Sequence, residues 1–237
     1  MKYINLPDET QHRLCFYLAM EEYVAQRFVD DDDCFFMWQV EPTVIFGRHQ
    51  VIENEVNIDY CKENGIQFYR RKSGGGCVYA DRNNVMLSYV TRDDNVEKTF
   101  ARYMALVADA LSNILHIDTV KTQNNDLLIG ESKVSGNAIY HIPGKIIAHG
   151  TLLYDTMMKN MISAITPSSE KLQKHGVESV RQRITLLKDH TDMPLEEIKS
   201  KLRNYVCHST VTLNETDVEA IKEIEKEYLR PEFIFGK

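Results

Sequence analysis

The feature that most restricts this chain is the run Arg70-Arg71-Lys72-Ser73-Gly74-Gly75-Gly76-Cys77-Val78-Tyr79-Ala80. Glycine loses more backbone freedom on folding than any other residue, so three in succession are costly unless the main chain needs positive φ or a close approach. Ile66-Gln67-Phe68-Tyr69 before the run and Val85-Met86-Leu87-Ser88-Tyr89-Val90 after it are rich in strand-forming residues. The stretch reads as a strand–loop–strand unit whose successive N–H groups form a nest for an anion. The neighbouring arginines can each grip a carboxylate or phosphate with two hydrogen bonds. A flexible turn with solvated arginines is the alternative reading. The run is not a P-loop, because no Gly-Lys-Ser/Thr follows and no helix opens after the glycines. Nor is it a dinucleotide fingerprint, because a strand follows where a helix belongs.

The formal charge of the 237 residues is −7, which argues against general nucleic-acid affinity. A basic site must therefore be local, and Arg70, Arg71, Lys72 and Lys133 are its candidates. At 43% hydrophobic residues the chain has ample material for a core. Its five cysteines are odd in number and lack Cys-x-x-Cys or zinc-like spacing. That usage fits reduced thiols and a cytoplasmic location. No signal peptide is visible, and no apolar stretch is long enough to span a bilayer, so no membrane partner is expected.

Asp8 and Gln11 are spaced as a capping box, and Leu14, Leu18, Ala25 and Phe28 follow at helical spacing with Glu21 and Glu22 between them. This predicts a helix over 9–29. Strands are expected over 34–40 and 43–46, and a short helix from Asn57 to a stop at Gly65. The turn-tolerant Asp81-Arg82-Asn83-Asn84 predicts a hairpin of 77–80 with 85–90. An amphipathic helix over 95–115 comes next, then short strands over 120–154 with turns at 130–132 and 141–144. Helices over 156–165, 194–206 and 214–228 lead to an extended tail, 231–236, that docks its aromatics. Strand runs with segregated helices indicate an α+β fold with mixed or antiparallel sheets flanked by helices.

A second stretch sharpens the functional reading. Asn125-Asp126-Leu127, Lys133-Val134-Ser135-Gly136-Asn137-Ala138 and His149-Gly150-Thr151-Leu152-Leu153 follow the glycine run in order. Together with Arg70-Arg71-x-Ser-Gly-Gly-Gly, these segments resemble the lipoate–protein ligase A family. Ser179-Val180-Arg181-Gln182-Arg183 looks like a further segment of that family. The resemblance runs from about Phe16 to Arg183 and more weakly to Phe235. The chain departs from it at Asp81-Arg82-Asn83-Asn84, where the family often has Asp-x-Gly-Asn; Asn is the non-glycine residue best suited to positive φ.

The resemblance implies a biotin/lipoate-ligase type of catalytic domain spanning 1–237, with the family's separate C-terminal accessory domain absent. It implies activation of lipoate by ATP, with Mg²⁺ as cofactor, to lipoyl-AMP and pyrophosphate. The lipoyl group would then pass to a lysine of a lipoyl domain, in a 2-oxoacid dehydrogenase complex or the glycine cleavage H protein. A separate polypeptide carrying the accessory domain is a further implied partner. Lys133 is the implied catalytic residue, holding the acyl carbonyl and the α-phosphate together. The implied nucleotide and lipoyl-AMP contacts are Arg71, Ser73, Gly74, Gly75, Gly76, Cys77, Val78, Tyr79, Asn84, Asn125, Asp126, Ser135, Gly136, Ala138, His149, Gly150 and Thr151. Asp126 is also the candidate metal ligand. Trp38, Phe46 and Tyr79 are candidates for lining the lipoyl groove. The competing readings are an octanoyl- or lipoyl-transferase using preformed lipoyl-AMP or a carrier-bound acyl group, with Cys77 as the candidate nucleophile, and a non-catalytic binding module.

Overall fold

The computed structural model describes every residue except 30, 123–124, 166–183 and 237. Its strands are β1 (Lys2–Asn5), β2 (Cys34–Trp38), β3 (Thr43–Phe46), β4 (Gln67–Arg70), β5 (Val78–Ala80), β6 (Asn84–Thr91), β7 (Thr119–Lys121), β8 (Asp126–Ile129), β9 (Ser132–Ile142), β10 (Lys145–Leu153) and β11 (Ser209–Thr212). Its α-helices are α1 (Leu14–Arg27), α2 (Ile52–Glu55), α3 (Ile58–Glu63), α4 (Val96–Leu115), α5 (Met158–Ala164), α6 (Leu195–Val206), α7 (Glu215–Tyr228) and α8 (Pro231–Phe235). Among the described residues the strands form a large mixed sheet in the order β11-β1-β2-β6-β10-β9-β8-β7 and a small sheet in the order β4-β3-β5. The fold is α+β, as the pattern of elements predicts. No helix among the described residues is long and apolar enough to cross a membrane.

Strand β6 is buried along its whole length, as a strand covered on both faces must be. One face of the large sheet packs on α4 and α6 through Tyr103, Val107, Leu111, Ile198 and Leu202. The other face packs on α1, which is in turn covered by Ile221 and Tyr228 of α7. Lying between sheet and helix, α1 is buried almost all round, Glu21 and Glu22 included. It begins only at Leu14, because Asp8 spends its carboxylate on the Thr10 N–H in a local turn and does not cap the helix. Asn57 and Asn95 do cap α3 and α4, accepting from Tyr60 N and Lys98 N.

Two expectations fail on topology. Strands β5 and β6 are not a hairpin. Strand β5 pairs antiparallel with β3 in the small sheet, whereas β6 pairs with β2 and β10 in the large one. Asp81 steers the chain between sheets: its carboxylate accepts from Asn83 N, Thr156 Oγ1 and Met157 N. The tail is the helix α8, with Pro231 in its first turn and Gly236 at φ 70 closing it. Its aromatics do dock, Phe233 edge-on to Tyr228 and Phe235 at 6.4 Å from Phe68.

Arg70 is what fastens that tail. Its Nε donates to Phe233 O (2.8 Å) and Ile234 O (3.0 Å), while Nη1 donates to Arg48 O (2.8 Å) and Gln50 O (2.8 Å). The guanidinium also lies over the Phe46 ring at 4.7 Å. One side chain thus joins the tail to the loop after β3. Arg70→Lys cannot hold both sets of carbonyls, since an ammonium lacks the planar fork. It is expected to destabilise the fold by about 2 kcal/mol through the orphaned acceptors. Amide hydrogen exchange should accelerate over 231–236 and 47–50 together, and acceleration of one segment alone would contradict the clamp.

Candidate active site

The glycine run folds back against the loop that follows β3. Arg71 N donates to Phe46 O and Arg48 N donates to Ser73 O. The Arg71 side chain is buried, with Nη1 on Ile45 O (3.1 Å) and Nη2 on Gly74 O (2.7 Å) and Gly76 O (2.8 Å). Burial lowers its pKa to about 10, which leaves it charged at neutral pH. Gly75 lies at φ +92, open to glycine alone, and its carbonyl packs against Gly47: a Cβ on Gly47 would meet that oxygen at 2.0 Å.

The three consecutive bases, which the sequence offers as an anion grip, are all held by partners within the protein. Arg70 and Arg71 are spent on main-chain carbonyls. Lys72 donates to Glu22 (3.0 Å) and Glu227 (2.8 Å), which raise its pKa against the opposing effect of burial. A guanidinium reaches several carbonyls at once and so shapes a loop better than any other side chain. What remains to meet a ligand is the backbone of Gly75, Gly76, Cys77 and Val78.

Opposite this loop stands Lys133. Its position is strand β9, not a turn, and a bulge sets its direction. Leu127 pairs with Ser135 but Leu128 pairs with Lys133, so Val134 is the extra residue. Without that bulge, period-two alternation would put Lys133 and Gly136 on opposite faces. With it, Val134 enters the core under α4 and Lys133 folds across Gly136, where a Cβ would lie 2.7 Å from its Nζ. The ammonium donates to Asp126 Oδ1 at 2.8 Å.

Between loop and strand lies a cavity of about 250 Å³. Of the sequence-predicted residues, Arg71, Gly75, Gly76, Cys77, Val78, Asn125, Asp126, Lys133, Gly136, Ala138, His149, Gly150 and Thr151 line it, as does Trp38. Asn137, inside the quoted Lys133–Ala138 motif though not assigned a contact, completes the wall with Leu18, Ile45 and Met86, which no sequence signal singles out. Apolar Leu18, Trp38, Ile45, Val78 and Met86 make one lining, and Lys133, Asp126 and the loop backbone make another.

Other predicted positions lie off the cavity. Tyr79 and Phe46 pack in the small-sheet core with Val44 and Ile52, because alternation along β5 sends Val78 to the cavity and Tyr79 away from it. Gly74 is exposed, and its carbonyl serves Arg71. Ser135 is buried and accepts from Asn137 Nδ2 at 3.1 Å. Asn84 is wholly buried at the start of β6, both amide atoms lacking a hydrogen-bond partner among the described residues. The 179–183 segment lies outside the described residues. A larger cleft of about 800 Å³ is lined by Arg48, Gln50, Lys72 and Phe233.

Asp126 answers to Lys133 in place of an ion, and among the described residues no three His, Cys, Asp or Glu side chains converge on a metal position. All five cysteines are unpaired. Burial raises the Cys77 thiol far above its ordinary range, opposite to what an acyl-accepting thiolate needs. Cys77→Ala is expected to retain acyl transfer from an adenylate donor within about threefold of the parent rate. A thioester adduct on the parent, lost with activity in the variant, would reverse that assignment.

Comparisons with known proteins give the family. Residues 14–207 match the model of the lipoyl protein ligase A/B catalytic domain. The chain belongs to that family. The lipoate–protein ligase LplJ of Bacillus subtilis is 32% identical over 220 residues, covering 89% of this chain and 66% of the relative. The chain thus spans about two thirds of that relative's length. A structure of the archaeal lipoylation system of Thermoplasma acidophilum, a bi-partite lipoate protein ligase and its E2 lipoyl domain, superposes with TM-score 0.84 at 26% identity. It covers 99% of this chain and 96% of that chain. Lipoate-protein ligase A bound with ATP superposes with TM-score 0.84 at 25% identity, covering 100% of this chain and 99% of that chain.

Proposed function

We propose that the protein is a lipoate–protein ligase whose cavity holds lipoyl-AMP. The observation that carries this reading is the placement of Lys133, an ammonium folded over Gly136 where the apolar lining meets the glycine loop. The lipoyl chain lies along Leu18, Trp38, Ile45, Val78 and Met86, with its carboxylate toward Lys133. The nucleotide meets the backbone of Gly75, Gly76 and Cys77, with Asn125, Thr151 and the face of Gly136 and Gly150 on the other side. In the first step a carboxylate oxygen attacks the α-phosphorus of ATP and pyrophosphate leaves. In the second, the acceptor lysine amine attacks the acyl carbonyl carbon, AMP leaves, and the amine loses a proton. Both steps load negative charge onto oxygens near Lys133, so a fixed cation there stabilises both transition states. Asp126 aims the ammonium, and binding must draw Lys133 from a carboxylate to phosphate and carbonyl oxygens.

The acceptor in this reading is a lipoyl domain of a 2-oxoacid dehydrogenase complex or an H protein, and the setting is the cytosol. Mg²⁺ would offset the charge of the ATP phosphates, and Asp126, the carboxylate in the cavity wall, would be its protein ligand. We further propose that activation draws on an accessory component more than transfer does; the Thermoplasma ligase is described as bi-partite. Pyrophosphate release from ATP with lipoate tests this reading, run beside transfer from synthetic lipoyl-AMP. Transfer should be fast and pyrophosphate release by the 237 residues slow. Rapid release would show that they suffice for activation, and absence of transfer would overturn the ligase reading.

A further inference from the structure

Behind the cavity runs a buried chain of hydrogen bonds that the two-step chemistry does not use. Trp38 Nε1 donates to Ser88 Oγ (2.9 Å), and Ser88 Oγ donates to Glu21 Oε1 (2.6 Å). His149 Nδ1 lies 2.9 Å from Glu21 Oε2, and its Nε2 lies 2.7 Å from Ser73 Oγ. All five side chains are buried, from 0% exposure at Ser88 to 6% at His149. They come from β2, β6, α1, β10 and the glycine loop, so the chain ties the Trp38 and His149 walls of the cavity to that loop.

The proton directions follow from donor capacity. Indole N–H can only donate, so Ser88 accepts from Trp38 and gives its own proton to Glu21. An ionised carboxylate can only accept, so His149 carries a proton on Nδ1. If Nε2 were protonated as well, the Ser73 hydroxyl hydrogen would have no partner at 1% exposure. A neutral ring with the proton on Nδ1 pairs every group, and Ser73 then donates to Nε2.

We propose that Glu21 is a positioning residue of the ligase site. By fixing the His149 tautomer it anchors Ser73, and through Ser73 it sets the height of Gly75, Gly76 and Cys77 over the cavity. Glu21 does not line the cavity and touches no substrate. Through Ser73 and the glycine loop its effect falls on binding, the nucleotide's included, and not on the chemical steps. The proposal rests on the lipoyl-AMP reading of that cavity.

Glu21→Gln keeps the shape but offers one accepting oxygen to two donors, Ser88 and His149. The ring is then free to carry its proton on Nε2, which breaks the contact with Ser73. The KM for ATP in pyrophosphate formation is expected to rise about tenfold with kcat within about twofold, the scale of one lost buried hydrogen bond. Ser73→Ala should show the same split, and the double variant should be no worse than either single one. A readout independent of activity is nitrogen-15 NMR of histidine-labelled protein, with His149 identified among the eight histidines by the spectrum of His149→Gln. The parent should show Nδ1 protonated and Nε2 bare, and Glu21→Gln should reverse this. A protonated Nε2 in the parent overturns the proposal, as does an unchanged KM for ATP in Ser73→Ala. A parent that transfers nothing from synthetic lipoyl-AMP but shows the expected tautomer would instead count against the ligase reading, leaving the relay standing.

Discussion

Lys133→Ala is expected to slow single-turnover transfer from lipoyl-AMP by about 10²–10³-fold, the usual cost of removing one preorganised donor from a developing oxyanion. Activation of lipoate should fall at least as far, because the same ammonium faces the α-phosphate. The fold should stand. Lys133 is about a third exposed and, among the described residues, pairs with Asp126, so the melting temperature should move little. Lys133→Arg should recover little, because a planar guanidinium cannot sit where Gly136 leaves room for a methylene stem and a compact ammonium. Asp126→Asn separates aim from charge: it keeps Lys133 but loosens its orientation, and should cost less than Lys133→Ala. Transfer near the parent rate in a folded Lys133→Ala protein would return this lysine to an ordinary strand position.

Gly47→Ala should be nearly as severe by a different route. The added methyl would meet Gly75 O at 2.0 Å and the Gly75 and Gly74 carbonyl carbons at 3.0 and 3.2 Å. These are backbone atoms, and the loop that carries them is held by Arg71 through Gly74 O and Gly76 O. Relief therefore requires moving the glycine loop as a body. Overpacking of this kind costs about 1–3 kcal/mol, or roughly 2–10 °C in melting temperature for a domain of this size. Nucleotide binding should weaken more than about tenfold, since the displaced groups are the proposed phosphate donors. Gly74→Ala is the control: its added Cβ meets nothing within 4 Å, and it should behave like the parent.

The architecture and much of the cavity were legible because they depend on local chemistry. Asn57 and Asn95 announce helix starts by the one property that makes a cap, and Gly65 at φ 65 announces a stop. Lys133 and Gly136 were legible as parts of one ordered motif, yet the reason for their spacing is a bulge at Val134, which no periodicity reveals. The three bases misled because charge in a sequence does not say what it will be paired with. Here Gly74 O, Gly76 O, Phe233 O and Glu227 are the partners, some of them over 150 positions away. The hairpin misled because the bonds from Asp81 to Thr156 and Met157 are long-range. Glu21 reads in the sequence as a polar position between helical apolar residues, though a carboxylate amid Leu14, Phe16, Leu18, Met20 and Val24 is itself a sign of burial.

The central claim is that this cavity presents an acyl-adenylate to an acceptor lysine. The measurement that tests it most directly is intact-protein mass spectrometry of a lipoyl domain incubated with the purified chain and synthetic lipoyl-AMP, without ATP. The expected result is one lipoyl group added per domain through an amide on its lysine, resistant to hydroxylamine, and lost with Lys133→Ala but retained with Cys77→Ala. An acceptor left unmodified by a folded chain, or a lipoyl group found as a hydroxylamine-labile thioester on Cys77, would contradict it.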